Sequence, residues 1–355
     1  MPERLCCAEC FGDTGLRDSI IPSLTDPDRV GDCDYCSARS VRLVAPRSLR
    51  QFFEMLVDVY DPDEAGRPIV AWLREDWGLF RSLVMDDAHA KELLAEVLDD
   101  GEIVRTLFVP AKQFESKSLK QWDDLRDEMM HRNRWFLDES IDLERLGQLL
   151  DLLITPGPDS GQTWFRARLM TDDNPYPPQS MGAPPVHLAG HGRANPAGIP
   201  YLYLGSTQGT AVAEVRPHTG DLASVAEFAV PRLLTVDLRA PRTQVSPFIL
   251  SDSSEISQLR ADLPLLERLG TELTRPVLPR GAAFEYTPSQ YLCEFIKTRG
   301  FDGVIYRSSV GDGINLALFK PDLATVGTVS VHRVARVTVE AVAVTAPHVA
   351  HPRGP

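Results

Sequence analysis

Residues 199–216 read IPYLYLGSTQGTAVAEVR, and the fold prediction starts from this stretch. Its first part, YLYLG (201–205), is a short apolar and aromatic run, which is typical of a β-strand. Its second part carries Thr210 and Glu214, two polar residues that strand patterning does not explain. Runs that also favour strands occur on both sides, at WFRARLM (164–170), VAEFAV (225–230), LLTVDL (233–238), GVIYRS (303–308) and NLALF (315–319).

Long polar loops separate these runs, and helices are predicted over 252–275 and 288–299. Short strands with few helices predict an α+β domain built on a mainly antiparallel sheet. The Gly- and Pro-rich stretch ITPGPDSGQ (154–162) is unsuited to a helix and marks the start of that domain. We therefore predict the domain over 156–343, followed by a disordered tail over 344–355.

The region from 46 to 155 has the spacing of amphipathic helices. In RSLRQFFEMLVDVY (47–60), apolar residues recur at the i, i+3, i+4 and i+7 positions that place them on one helix face. The region is therefore predicted to be a small helical domain. Its predicted elements are helices over 47–60, 86–100, 118–137 and 140–153, with a strand-like stretch over 101–111.

Five of the six cysteines lie within the first 36 residues, and four of them form two Cys-x2-Cys pairs. Four thiolates in two such pairs complete the tetrahedral shell that structural zinc prefers. We predict a zinc-ribbon-like segment over 1–45, with Cys6 as an alternative ligand to Cys7; unliganded thiols or a disulfide are the alternative chemistry. The predicted ligands are Cys7, Cys10, Cys33 and Cys36.

Charge and hydropathy exclude several classes of protein. The net charge is −13, and non-specific nucleic-acid binding depends on Lys and Arg that neutralise phosphates. Nucleic acid is therefore an unexpected partner. No apolar run approaches the ~20 residues that a membrane-spanning helix needs, and the first residues lack the apolar core of a signal peptide. We predict a cytoplasmic protein with no membrane association.

The C-terminal half contains four segments with polar residues in unusual positions. The first has an aromatic residue before Arg at the start of the domain. After it come a Leu-Tyr-Leu strand, a Thr-Ala-x-x-Glu helix start, and a Tyr-x-Ser-Ser strand end with Gly-x-Asn. These motifs are Phe165-Arg166, 202–204, 210–214, 306–309 and 313–315. In this order they resemble the RES domain family, named for its Arg, Glu and Ser residues.

Other short motifs, including GRANP, AEVRP and SQYLCEFI, are similar to a RES subgroup in which a cysteine-bearing helical domain precedes the RES domain. That N-terminal domain has been likened to HEPN helical domains. The resemblance implies a fold related to ADP-ribosyltransferases. It also implies NAD⁺ as a substrate, degraded by phosphorolysis with inorganic phosphate or by hydrolysis, in a toxin that a partner antitoxin restrains.

With NAD⁺ as the substrate, the chemistry at the nicotinamide–ribose bond assigns roles to the motif residues. Departure of nicotinamide leaves an oxocarbenium-like ribose, which requires negative charge beside the ribose and donors for the diphosphate. Glu214 is the candidate for that charge. Arg166 is the candidate anion clamp because a guanidinium binds phosphate in a bidentate manner, and Arg168 competes for this role.

Further candidates would complete the pocket. Tyr203 is placed to stack on the nicotinamide ring, and Ser308 or Ser309 to donate to a phosphate. The remaining candidates for the same pocket are Arg193 and Asn315.

Structural roles remain open for each candidate. Glu214 has the alternative of a solvated carboxylate paired with Arg216, and Tyr203 that of a core residue. The two serines have the alternative of satisfying a strand end.

Two other functions remain open at this stage. The same fold can transfer ADP-ribose to a protein or nucleotide acceptor, which the sequence does not separate from phosphorolysis. A different class is a HEPN-type ribonuclease, because Arg126 and His131 have the Arg-x4-His spacing of that family. The zinc segment and helical region are also candidates for an accessory, non-catalytic module.

Overall fold

A computed structural model describes residues 4–26, 28–111, 116–156, 162–278 and 281–339. The tail predicted over 344–355 lies outside these residues. None of the described helices is both long enough and apolar enough to cross a membrane. The helices are α1 (Ala8–Phe11), α2 (Ile21–Leu24), α3 (Arg50–Val57), α4 (Ile69–Trp77), α5 (Asp87–Leu98), α6 (Ser118–His131), α7 (Leu143–Asp151), α8 (Gln208–Glu214), α9 (Pro241–Gln244), α10 (Ser253–Thr274), α11 (Ala282–Glu285) and α12 (Thr287–Thr298).

The strands form one large sheet and two small two-stranded sheets. The small sheets pair β1 with β2 and β3 with β4, and the large sheet has the order β12-β8-β6-β7-β11-β10-β9-β5. All of its pairs are antiparallel except β9 with β10. The strands are β1 (Val30–Gly31), β2 (Val41–Arg42), β3 (Tyr60–Pro68), β4 (Leu107–Pro110), β5 (Ile154–Pro156), β6 (Thr163–Leu169), β7 (Leu202–Gly205), β8 (Leu222–Ala229), β9 (Leu234–Asp237), β10 (Gly303–Arg307), β11 (Ile314–Leu318) and β12 (Thr325–Arg333).

This architecture confirms the predicted α+β class and the mainly antiparallel sheet. The sheet separates apolar clusters on its two faces, because alternate residues of a strand point in opposite directions. On β6, Trp164 packs into one cluster, with Leu204 and Phe228, while Ala167 packs with Ala211 of α8 on the other face. The helix that carries Glu214 therefore lies directly on the sheet.

The largest hydrophobic cluster contains residues from both halves of the chain. Leu49 and Phe53 of the helical region share it with Leu259 and Leu266 of α10. The Phe53 ring centroid lies 4.9 Å from that of Phe248. This core and strand β5 both cross the boundary predicted after residue 155, so the helical region and the sheet are packed against each other.

Helix α10 is the element on which the helical region is anchored. Its N-cap, Asp252, accepts a hydrogen bond from the main-chain nitrogen of Glu255 at 2.9 Å, which is a favourable helix start. Buried carboxylates then join it to three helices of the N-terminal half. These ion pairs are Arg260–Asp76 with α4 at 2.5 Å, Asp262–Arg145 with α7 at 2.9 Å and Glu272–Arg126 with α6 at 2.9 Å.

Two helices end earlier than predicted, and each early end has a physical reason. The helix predicted over 118–137 ends at His131, because the buried carboxylate of Glu128 accepts hydrogen bonds from the main-chain nitrogens of Asp138 and Glu139 and turns the chain back. The helix predicted over 47–60 ends at Val57, and the following polar, Pro- and Gly-containing residues form β3 instead. The partner of β3 is β4, within the predicted strand-like stretch.

Candidate active site

A cavity of about 480 Å³ opens where β6, β7, β11, α8 and α11 meet. A volume of this size is within the range of small-molecule sites. Six of the residues predicted from the sequence line it, and the seventh, Ser308, is hydrogen-bonded to one of the six. The six are Arg166, Arg193, Tyr203, Glu214, Ser309 and Asn315.

Glu214 is the last residue of α8, and its carboxylate is held by two neutral donors. Its Oε1 atom accepts a hydrogen bond from Ser308 Oγ at 2.7 Å and another from Asn315 Nδ2 at 2.6 Å. Asn315 is buried on β11. These bonds fix the direction of the carboxylate without neutralising its charge.

The alternative pairing of Glu214 with Arg216 is not observed. None of the ion pairs formed by the described residues involves Glu214 or Arg216. Arg216 has a left-handed backbone conformation, with φ of +49°, and lines the same cavity. An unpaired carboxylate and an unpaired guanidinium therefore border one space. Its spacing in the sequence indicated Arg216 only as a partner of Glu214, and no sequence signal indicated its place in the cavity wall.

Arg166 lies on β6 and has an unsatisfied donor. Its Nη1 atom is buried and has no hydrogen-bond partner among the described residues. Burial lowers the pKa of Arg166 to about 10, and the neighbouring charge of Arg168 acts in the same direction. The group is still cationic at neutral pH. A buried donor without a partner is costly, and Arg166 is one of the residues that line the cavity.

The competing arginine, Arg168, also has a buried donor without a partner among the described residues, its Nε atom, but its guanidinium has other contacts. Its Nη2 atom donates to the main-chain oxygen of Gly182 at 3.1 Å, and its guanidinium lies 5.8 Å from the ring centroid of Tyr176. It is absent from the lining of the cavity. Arg168 thus supports the long loop that follows β6, whereas Arg166 faces the candidate site.

Arg193 is held in the opposite wall by several contacts. Its Nη2 atom donates to Ser309 Oγ at 2.9 Å, and its Nη1 atom donates to the main-chain oxygen of Arg275 at 2.6 Å. Its guanidinium carbon also lies 5.5 Å from the ring centroid of Tyr286. Arg193 therefore has a fixed orientation beside Ser309, and the two serines serve different partners.

Tyr203 supports the loop at the rim of the cavity. Its hydroxyl donates to Asn195 Oδ1 at 2.6 Å and accepts from the main-chain nitrogen of Ala194 at 3.0 Å. Burial raises the pKa of Tyr203, so the phenol stays protonated and can donate. Gln290 Nε2 supports the same loop through the main-chain oxygens of Gly192 and Asn195.

Asn195 and Gln290 were missed as site-supporting residues. The GRANP and SQYLCEFI motifs that contain them were visible in the sequence, but nothing in either motif indicated that the Gln290 side chain binds the main chain of the Asn195 loop. Only the folded loop brings Asn195 to Tyr203.

The four predicted zinc ligands lie together in a separate, buried cluster. Their Sγ atoms all lie within 4.8 Å of one another, with closest separations of 3.3 Å between Cys10 and Cys33 and 3.5 Å between Cys7 and Cys36. A tetrahedral zinc ion with Zn–S bonds of about 2.3 Å separates its sulfurs by about 3.8 Å. The donor set and its spacing fit such an ion.

Cys6 is not part of this cluster. Its thiol is buried and lies 3.6 Å from the main-chain oxygen of Val44, and residues 6 and 44 form a β-bridge. The four-cysteine set therefore contains Cys7 and not Cys6.

The Arg126 and His131 pair is not arranged as a shared site. Arg126 Nε lies 2.9 Å from Glu272 Oε1, and Glu272 is fully buried. His131 is half exposed at the end of α6, and its Nε2 atom lies 4.0 Å from Asp127. The guanidinium that a ribonuclease would present to phosphate is therefore already neutralised by an internal carboxylate.

Comparison with known proteins identifies one domain. Residues 163–338 match the family model of the RES domain, so this part of the chain is a RES domain and contains all seven candidate residues.

Among solved structures, the chain is similar to one in the "Crystal structure of the M. tuberculosis MbcT-MbcA toxin-antitoxin complex". The identity is 16% and the TM-score 0.31, with 55% of this chain and 96% of that chain covered. None of the curated proteins matches this chain.

Proposed function

We propose that this protein consumes NAD⁺ by breaking the bond between nicotinamide and ribose. The observation that carries the proposal is the oriented carboxylate of Glu214, which borders the same cavity as Arg166 and Arg193. The RES family, to which residues 163–338 belong, is linked to NAD⁺ as a substrate. A site for this dinucleotide needs one anion beside the ribose and cations around the diphosphate, which is the composition found here.

In the proposed reaction, the electron pair of the C–N bond leaves with nicotinamide, and positive charge develops on the ribose. Glu214 stabilises that charge electrostatically, and the hydrogen bonds from Ser308 and Asn315 keep its carboxylate directed at the ribose. Water or inorganic phosphate then attacks the ribose carbon. Hydrolysis gives ADP-ribose and nicotinamide, whereas phosphorolysis gives a phosphorylated ADP-ribose and nicotinamide.

The arginines hold the diphosphate in this proposal. Arg166 has a buried donor to satisfy and acts as the principal clamp, with Arg193 in the opposite wall. Ser309 accepts a hydrogen bond from Arg193, so its own proton is available for a phosphate oxygen. The Tyr203 ring is proposed to contact the nicotinamide, and its hydroxyl holds the rim of the cavity.

The family resemblance extends the proposal to the cellular role and to the rest of the chain. A RES enzyme that consumes NAD⁺ would act as a cytoplasmic toxin or defence effector restrained by an antitoxin or another regulatory protein. Its sheet domain would be related to ADP-ribosyltransferases. We further propose that residues 46–155 are a HEPN-like accessory domain and that the cysteine cluster is a zinc-ribbon-like element with one structural zinc ion.

The decisive experiment is product identification. Purified full-length protein is incubated with NAD⁺, with and without phosphate, and the products are resolved by mass spectrometry. Release of nicotinamide together with ADP-ribose or its phosphorylated form supports the proposal and identifies the attacking group. An ADP-ribosylated protein or nucleotide would indicate transfer to an acceptor instead.

The matched control is Glu214→Gln, which keeps an oxygen for Ser308 and Asn315 but removes the charge. Loss of an electrostatic stabiliser of this kind lowers turnover by roughly 10²–10³-fold. A Glu214→Gln protein as active as the wild type, or a wild type that releases no nicotinamide, would contradict the proposed function.

A further inference from the structure

The wall that carries Arg193 is held by groups outside the cavity. Arg193 Nη1 donates to the main-chain oxygen of Arg275 at 2.6 Å, and the main-chain oxygen of Arg193 accepts from Ser289 Oγ at 2.6 Å. The first of these bonds sets the direction of the guanidinium. The orientation of Arg193 therefore depends on where the chain places the carbonyl group of Arg275.

Arg275 is the C-cap of α10, a position at which helices commonly fray. Its side chain binds in two directions. Nε lies 3.4 Å from Glu272 Oε2, one turn back in the helix. Nη2 donates to the main-chain oxygen of Glu285 at 2.6 Å, and Nη1 lies 3.3 Å from Glu285 Oε2. One guanidinium thus joins the end of α10 to α11. The first residue of α11, Ala282, and the residue after this helix, Tyr286, line the cavity.

Glu272 connects the Arg275 guanidinium to the helical region. Its side chain is fully buried, and besides Arg275 it has Arg126 of α6 at 2.9 Å and Arg268 at 3.5 Å. A buried carboxylate is strongly unfavourable unless cations compensate it. The pairing with Arg126 therefore fixes α6 against the last turn of α10, directly before Arg275.

We propose that Arg275 is a positioning residue of the candidate site. It holds the main-chain carbonyl that orients Arg193. Through Glu272, it also makes α6 part of the framework of the cavity. The inference rests on the proposed function, in which Arg193 binds the substrate diphosphate. Without the Arg275 guanidinium, the end of α10 loses its tie to Glu285 of α11 and keeps only the main-chain hydrogen bond from Arg275 to the Thr271 oxygen. The carbonyl is then held less firmly, and the direction of Arg193 is less fixed. Substrate binding weakens, while Glu214 and the chemical step are unaffected.

Arg268 provides a matched control. It contacts the same Glu272 carboxylate from the same helix, and its second partner is Asp123 of α6 at 2.8 Å. Neither Arg268 nor Asp123 lines the cavity. Loss of stability is expected for variants at both arginines, whereas loss of Arg193 orientation is expected at Arg275 alone.

The test compares full-length wild type, Arg275→Gln, Arg275→Lys and Arg268→Gln by steady-state NAD⁺ consumption and melting temperature. We expect Arg275→Gln to raise KM about tenfold, the effect of one hydrogen bond to a charged group, with kcat retained. Arg275→Lys should be intermediate, and it replaces the glutamine variant if that protein does not fold. A wild-type KM in Arg275→Gln, or an equal rise in Arg268→Gln, would overturn the inference.

Amide hydrogen exchange gives a second readout that needs no turnover. Exchange over residues 281–286 should accelerate in Arg275→Gln and stay at the wild-type rate in Arg268→Gln. Unchanged exchange in Arg275→Gln would overturn the inference. If the wild type does not cleave NAD⁺, the proposed function fails, and the exchange pattern alone still decides whether Arg275 holds the wall.

Discussion

Ser308 Oγ and Glu214 Oε1 are 2.7 Å apart, and this hydrogen bond joins the end of β10 to the end of α8. The neighbouring serine faces a different partner, because Ser309 Oγ accepts from Arg193. Two adjacent serines thus bind side chains of opposite charge at the cavity. Ser308 orients the anion, and Ser309 contacts a cation.

This division predicts different kinetic effects for the two serines. Ser308→Ala leaves Glu214 with Asn315 alone, so we expect kcat for NAD⁺ consumption to fall about tenfold, the value of one hydrogen bond to a charged group. Ser309→Ala leaves the Glu214 bond intact, so its main effect should be a higher KM. Steady-state kinetics of both variants test the assignment, and equal effects on kcat would contradict it.

Because its buried donor has no partner, Arg166 is expected to lower the stability of the ligand-free protein although it contributes to ligand binding. Arg166→Gln removes a buried cation, so the ligand-free variant should melt no lower than the wild type. ADP-ribose should raise the melting temperature of the wild type, because a ligand that binds only the folded state stabilises it. We expect this rise to be absent in Arg166→Gln.

Arg168→Gln is the control for that experiment. Its loss of the bond to Gly182 should lower the melting temperature, while the rise caused by ADP-ribose should be retained. An equal rise in Arg166→Gln and in the wild type would show that Arg166 does not hold the ligand. Differential scanning fluorimetry over a range of ADP-ribose concentrations measures both quantities.

Periodicity and motif order in the sequence were sufficient to predict the class of fold and six of the residues that line the cavity. Short β-favouring runs predicted the antiparallel sheet, because each strand carries its own alternation of apolar residues. The Arg, Glu and Ser motifs identified the catalytic candidates through their resemblance to the RES family, and the chemistry that this family implies then assigned a role to each residue. These signals are local, and a single sequence contains them in full.

The remaining features depend on contacts between distant residues. Arg275 meets Arg193 across 82 positions of the chain, and Arg126 meets Glu272 only when α6 packs on α10. The early end of α6 at His131 likewise depends on Glu128 reaching the nitrogens of residues ten and eleven positions ahead. Propensity and spacing carry no information about such pairs, so sequence analysis treated Arg126 as a ribonuclease candidate.

The ion pair of Arg126 leads to a direct test of the ribonuclease hypothesis. Because Glu272 already neutralises Arg126, His131 has no cationic partner with which to bind a scissile phosphate. His131→Ala should therefore leave NAD⁺ consumption unchanged, and neither protein should cleave RNA. Parallel assays with NAD⁺ and with labelled single-stranded RNA measure this, and RNA cleavage that depends on His131 would restore the alternative.

The cysteine cluster predicts one zinc ion per chain. Elemental analysis of the purified protein should find a 1:1 ratio, and Cys33→Ser should lower both the zinc content and the melting temperature, because a structural site of this kind contributes folding energy. Cys6→Ser is the control, since Cys6 is equally buried but lies outside the four-sulfur set. An equal loss of zinc in both variants would contradict the assigned ligands.

Gly192 predicts how sensitive the rim of the cavity is to added volume. A β-carbon there would lie 2.3 Å from Asn195 Oδ1 and 2.4 Å from the Tyr203 hydroxyl oxygen, so the bond between these two groups must break or shift. We expect Gly192→Ala to lower stability by about 1–3 kcal/mol, the usual effect of overpacking, and to raise KM for NAD⁺.

The neighbouring Gly190 has open space where its β-carbon would be placed, so Gly190→Ala should leave KM unchanged. Chemical denaturation and NAD⁺ kinetics of both variants distinguish a local effect from a general loss of stability. If Gly192→Ala bound and consumed NAD⁺ like Gly190→Ala, the Asn195–Tyr203 contact would have no role in shaping the site.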